Sequence, residues 1–192
     1  MSIRLLALIP IAVAINLALS AVVDAAGLPL FLDTTGTILA TALAGPAVGL
    51  ATGALTSVVN SLRNPTFLPF IVVQLIVALY AWAAARAGFF RRLRTAIPAG
   101  LGLGVIAAAA STPISYLVFG CSTSGGVTAM AYLGRRLGMS PIGACAFSAF
   151  VTDFTDKAVT FALVATVLHA LPRRTAARFP LALRAIGRAA VE

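Results

Sequence analysis

Long apolar stretches follow one another along almost the whole chain, separated only by short polar turns, and this succession leaves few folds open. A helix rises about 1.5 Å per residue, so roughly 20 apolar residues cross a hydrocarbon layer. Of the 192 residues 60% are hydrophobic and only 10% charged, against roughly 25% charged in a soluble domain. The chain is too apolar to hide its surface in one water-soluble core. The pattern predicts an all-α membrane protein with six transmembrane helices and short loops, at about 3–23, 35–44, 47–62, 67–87, 96–119 and 141–171. Residues 1–172 then form the transmembrane domain and 173–192 a basic cytoplasmic tail, most simply lying on anionic lipid. The opening stretch has the charge and apolar run of a secretion signal, but the run is too long for one and further spans follow.

A net charge of +9 raises the question of nucleic acid, yet the arginines lie between apolar segments and form no basic face. Arg4 precedes the first segment, Arg86 to Arg94 follow the fourth, and Arg173 to Arg188 follow the last. Under the positive-inside rule these places share the cytoplasmic side. An even number of spans then puts both termini there, and the lipid bilayer, not nucleic acid, is the expected surroundings. The multi-pass pattern fits a plasma membrane.

Local signals refine this outline. Loop 24–36, apolar but for Asp24, Asp33 and two threonines, is expected to fold back over the protein. Gly45-Pro46 marks a tight turn, and Gly45, Gly49 and Gly53 place small residues on one helical face for close packing. Ala129 to Leu137 is amphipathic and reads as a short interfacial helix. Ser140-Pro141 supplies a cap and a first-turn proline for the last helix. Cys121 and Cys145 show no CxxC or Cys/His spacing, so no zinc, haem or iron–sulfur site is expected. Cys145 falls inside a helix, which argues against a disulfide.

The last apolar segment carries TDFTDK at 152–157. A charge in hydrocarbon costs at least about 2.5–3.5 kcal/mol on the more lenient scale, so Asp153, Asp156 and Lys157 require compensation. Asp153 and Lys157, four apart with the acid first, suit a helical ion pair. Either they neutralise each other, or their face lines a water-accessible pocket for a polar solute. The DxxD spacing superficially resembles the magnesium-holding carboxylates of membrane prenyltransferases, but Asp33 is the one other acid available to converge. His169 reads as a boundary residue. With no Ser/His/Asp set, HExxH, Walker loop or nucleophile elbow, neither an enzyme nor a cofactor or metal site is expected.

The segment LPLFLDTTGTILATALAGPAVGLATGALTSVVNSL, 28–62, together with the Asp-Lys stretch at 153–157, resembles the substrate-binding S components of energy-coupling factor (ECF) vitamin transporters. The likeness in length, span number and orientation extends over nearly the whole chain. It implies capture from outside of a vitamin, vitamin precursor or nucleobase-like nutrient, in a pocket roofed by the first loop. Carried over by position, Asp33, Thr34, Asn60, Gln74, Tyr116, Asp153 and Lys157 would form that pocket. Asp33 would accept hydrogen bonds from the solute, Asp153 and Lys157 would act as paired acceptor and donor, and Tyr116 and Phe67 would stack on a ring. The resemblance also implies partners: a transmembrane coupling (T) subunit, docked on small residues such as Ala14 and Ala18, and two cytoplasmic ATPases that bind the ATP. Ordinary packing of alanine-rich helices explains Ala14 and Ala18 equally well. The loop signatures of riboflavin, thiamine and biotin binders are not matched, which leaves the substrate open.

Two other functions compete. A membrane sensor or interaction module would report ligand occupancy to a signalling partner, although the ending of the chain argues against a fused output domain. A self-sufficient secondary transporter predicts inverted repeats, and none is evident between 1–96 and 97–192.

Overall fold

In the computed structural model, which describes residues 3–123 and 125–187, the chain is all helical with no strand among those residues. The elements are α1 (Ile3–Ala25), α2 (Thr35–Ala44), α3 (Pro46–Arg63), α4 (Ile71–Ala87), α5 (Leu93–Phe119), α6 (Gly125–Arg136), α7 (Pro141–Ala170), α8 (Arg173–Ala176) and α9 (Ala182–Ala185). Tight 3-10 turns at Pro65–Phe70 and Phe89–Arg91 lead into α4 and α5. Three segments are long and apolar enough to cross a membrane: Leu5–Ala25, Pro65–Ala87 and Leu93–Phe119. At 10 residues, α2 spans only about 15 Å. The length of α7 would suffice, but it carries three charged residues near its middle.

Local chemistry accounts for the helix ends. Between α2 and α3, Gly45 adopts a φ of 99°, open to glycine alone, and Pro46 starts the next helix. Gly45 thus makes the turn and does not join the packing face expected of it. Gly49 lies against Thr41 and Ala78, and Gly53 against Gln74, so these two bring α3 close to α2 and α4. The hydroxyl of Ser140 accepts the Gly143 N–H at 3.2 Å and caps α7.

Helices α5 and α7 pack most closely of all. Gly100 and Gly104 of α5 sit directly on the α7 backbone at Lys157 and at Asp153 and Phe154. A methyl group at Gly104 would lie 2.6 Å from the Phe154 Cα, where backbone cannot yield. Gly104→Val is therefore expected to destabilise the protein by about 1–3 kcal/mol through overpacking, read as a lowered thermal midpoint in detergent. An unchanged midpoint would show that the two helices are free to separate.

The segment after α7 folds back onto the bundle. Ala176, Ala182, Ala185 and Ile186 join Phe90, Phe161 and Leu168 in the main core, and the Leu181 N–H donates to the Leu43 carbonyl at 3.1 Å. Arg173, Arg174, Arg178 and Arg184 stay exposed. This packing brings the basic clusters around Arg91 and Arg173 to the same end of the bundle as the start of α1, whose Leu5 and Leu8 lie against the end of α2. At the opposite end, Cys121 and Cys145 form a disulfide with a Cα separation of 5.4 Å, contrary to the expectation from sequence. A helical cysteine near its own N-terminus is still free to meet a loop cysteine once α5 and α7 lie side by side.

Candidate functional site

The loop between α1 and α2 is held down by the middle of α7. Oδ1 of Asp156 accepts the backbone N–H groups of Phe31, at 3.0 Å, and Leu32, at 2.7 Å. Oδ2 of the same carboxylate pairs with the Lys157 ammonium. Leu32 takes a positive φ of 48°, a conformation costly for a branched residue and kept only where the surroundings enforce it. From the other side, Gly126 of α6 rests on the Leu28 and Pro29 backbone, where any side chain would collide.

A second set of bonds reaches the loop from below. Asn16 of α1 donates to the hydroxyls of Thr37 and Thr56, both at 2.9 Å, and accepts the Gly36 N–H at 2.6 Å. The Thr37 hydroxyl donates to the Gln74 carbonyl oxygen at 3.2 Å, and the Gln74 amide donates to the Asp33 carbonyl at 3.1 Å. One fully buried asparagine thus ties α1, α2 and α3 together, and Gln74 passes that order to the loop.

Between loop, α4, α5 and α7 lies a cavity of about 60 Å³, several-fold the roughly 10–15 Å³ that one water needs. Its apolar wall includes Phe31, Phe67, Phe70 and Val73, and its polar wall Asp33, Gln74, Ser111, Asp153 and Lys157. Ser111 donates to Asp153 at 2.9 Å. Thr34 also lines the cavity. It stands at the N-cap of α2 yet makes no cap bond, and its hydroxyl, on a residue 2% exposed, has no hydrogen-bond partner.

Six of the eight sequence-derived pocket residues, Asp33, Thr34, Phe67, Gln74, Asp153 and Lys157, therefore surround one cavity. Asn60 and Tyr116 are outside its lining. Asn60 follows Thr56 by one helical turn and shares the face that looks to α1. Tyr116 is rotated about 140° around α5 from Ser111, at roughly 100° per residue. The ion pair also differs from expectation: Lys157 bonds Asp156, while Asp153 lies 4.0 Å from the ammonium. Neighbouring residues on a helix diverge at Cβ, but the long lysine stem bends back far enough to favour the carboxylate already fixed by two loop amides. Ala14 and Ala18 face away from the bundle, on the side of α1 opposite Asn16.

The spacing carried no sign of Phe31, Phe70 or Ser115 as lining residues. Asn16 stands in the sequence as a lone amide in an apolar segment, where an uncompensated polar group is expensive, and this is the signal that points to it.

Asp33, on the loop, has its carboxyl pushed up from 3.8 to about 6, chiefly by burial, with the Lys157 charge opposing and the Asp156 charge adding. Because the folded protein holds this proton more tightly than the unfolded chain, ionising Asp33 weakens folding. The penalty is absent below about pH 4, grows toward pH 6 and is complete above it. The thermal midpoint of Asp33→Asn should therefore rise relative to that of the native chain across this window. A difference that stays flat with pH would sink the assignment.

No family model, curated protein or solved structure matches this chain. Membrane association rests on its three long apolar helices, and any assignment of function rests on the chemistry of the cavity.

Proposed function

We propose that the chain is the substrate-capturing membrane subunit of an ECF-type importer, taking a small water-soluble nutrient from outside into the cavity beneath the α1–α2 loop. On this reading α1 to α5 and α7 are six membrane passages of a bacterial cytoplasmic membrane, with both termini inside. A coupling subunit and two cytoplasmic ATPases then reorient the loaded protein and release the solute. The observation that carries the proposal is the convergence of Asp33, Thr34, Phe67, Gln74, Asp153 and Lys157 on one cavity roofed by the loop. The arginine clusters around Arg91 and Arg173 stand at the end of the bundle opposite the cavity, as capture from outside requires, while Arg135 and the disulfide lie at the cavity end, where an oxidising exterior would keep the bond.

A tagged chain drawn from its own membranes in mild detergent tests the reading. A coupling subunit and ATPases should co-purify, and mass spectrometry should find a bound small molecule. Asp33→Ala should insert normally and lose that molecule. Recovery of the chain alone and empty, from membranes that support uptake, would refute the assignment.

A further inference from the structure

We infer, on the basis of the solute-capture reading above, that the guest is a small organic cation: a flat apolar ring bearing a protonated nitrogen. The charges around the cavity are unequal. Three carboxyl groups, of Asp33, Asp153 and Asp156, gather around the ammonium of Lys157, which is the one cation among the described residues that line the cavity. Nor are the three acids equivalent. Asp156 stands outside the cavity lining and takes the close bond to Lys157. Lys157 lines the space as well, but its ammonium is already bound to this carboxylate outside it. Asp33 and Asp153 both line the space, and Asp153 has only a serine hydroxyl at bonding distance, the ammonium standing 4.0 Å off.

A carboxylate or phosphate entering here would face two acids across a short gap in a medium of low dielectric constant, which strongly disfavours it. A protonated nitrogen would relieve the excess. The opposite wall suits the rest of such a molecule, because Phe31, Phe67 and Phe70 offer apolar contact and ring faces that attract a cation. Independently of the acids, the Thr34 hydroxyl is buried, unpartnered and on the cavity wall. A buried hydroxyl left without a bond costs stability, and a polar guest atom would supply that bond.

Three probes of one shape separate the alternatives: benzylamine, benzyl alcohol and benzoate, which at pH 7.5 carry a positive, zero and negative charge. Their binding to the purified full chain in neutral detergent is measured by saturation-transfer NMR titration. Uptake by protein-free micelles is subtracted. Benzylamine should bind at least roughly ten-fold more tightly than benzoate, the scale set by one uncompensated charge at close range, with benzyl alcohol between them. Asp33→Asn, which leaves the Asp156–Lys157 pair intact, should shrink the preference toward parity. Thr34→Val should weaken the amine and the alcohol while keeping their order. Equal affinity for all three, or tighter binding of benzoate, overturns the cationic guest and leaves solute capture standing. Saturable binding of none of them overturns both the cationic guest and the cavity as a capture site.

Discussion

Asp156→Ala should lower the thermal midpoint by roughly 10 °C. Removing one partner of a buried ion pair costs about 3–5 kcal/mol, because the remaining charge stays in a dry interior, and each kcal/mol shifts the midpoint of a chain this size by about 2–4 °C. Lys157 is 2% exposed, and Asp153, at 4.0 Å, compensates only in part. The same change frees the amides of Phe31 and Leu32. Hydrogen exchange at those two positions should accelerate well beyond that of amides inside α5. The double variant Asp156→Leu with Lys157→Met separates the two roles of the carboxylate. With both charges gone the midpoint should recover, but the loop amides should remain unprotected. If they stay protected in the double variant, something other than Asp156 holds the loop.

Asn16→Leu is the second change expected to matter most. The two side chains are of similar size, so packing is little disturbed while three hydrogen bonds disappear. Each buried polar group left without a partner costs about 1–3 kcal/mol. The Gly36 N–H is the worst placed, since its residue is pressed against the Ala12 backbone and has no room to turn elsewhere. Loss of this hub should also loosen Thr37 and, through it, the Gln74 contact to Asp33. Guest binding should therefore weaken although Asn16 is outside the cavity. Thr56→Val, which removes one of the three bonds without touching the route to Gln74, should cost less stability and leave guest binding unchanged. Equal effects of the two variants on binding would disprove the relay.

Both predictions concern contacts that no linear pattern displayed. The helix boundaries were legible, because they follow from signals within a few residues of each end: the glycine and proline of the 45–46 turn, the serine cap at 140, and the length of each apolar run. The ranges read for the six main helices differ from those observed by at most a few residues. The unusual character of the α7 charges was legible for the same reason, since the cost of burying an ion depends only on its being in an apolar segment. Six of the fifteen described residues that line the cavity, Asp33, Thr34, Phe67, Gln74, Asp153 and Lys157, are legible in the sequence through its resemblance, and Asn60 and Tyr116 show the limit of that likeness. Each lies on the right helix, but a helix has more than one face, and rotation about its axis is set by neighbours distant in sequence.

The amino-acid sequence alone determined that this chain is a bundle of apolar helices with buried charges in its last long helix, because hydropathy, turn chemistry and charge cost act locally along the backbone. Only the tertiary structure decided that Asp156, and not Asp153, holds Lys157, that Asn16 binds three helices together, and that Cys121 meets Cys145. Those pairings join groups from 1 to 40 positions apart, and which groups meet depends on how the close approach of α5 to α7 and of α1 to α2 turns each face inward.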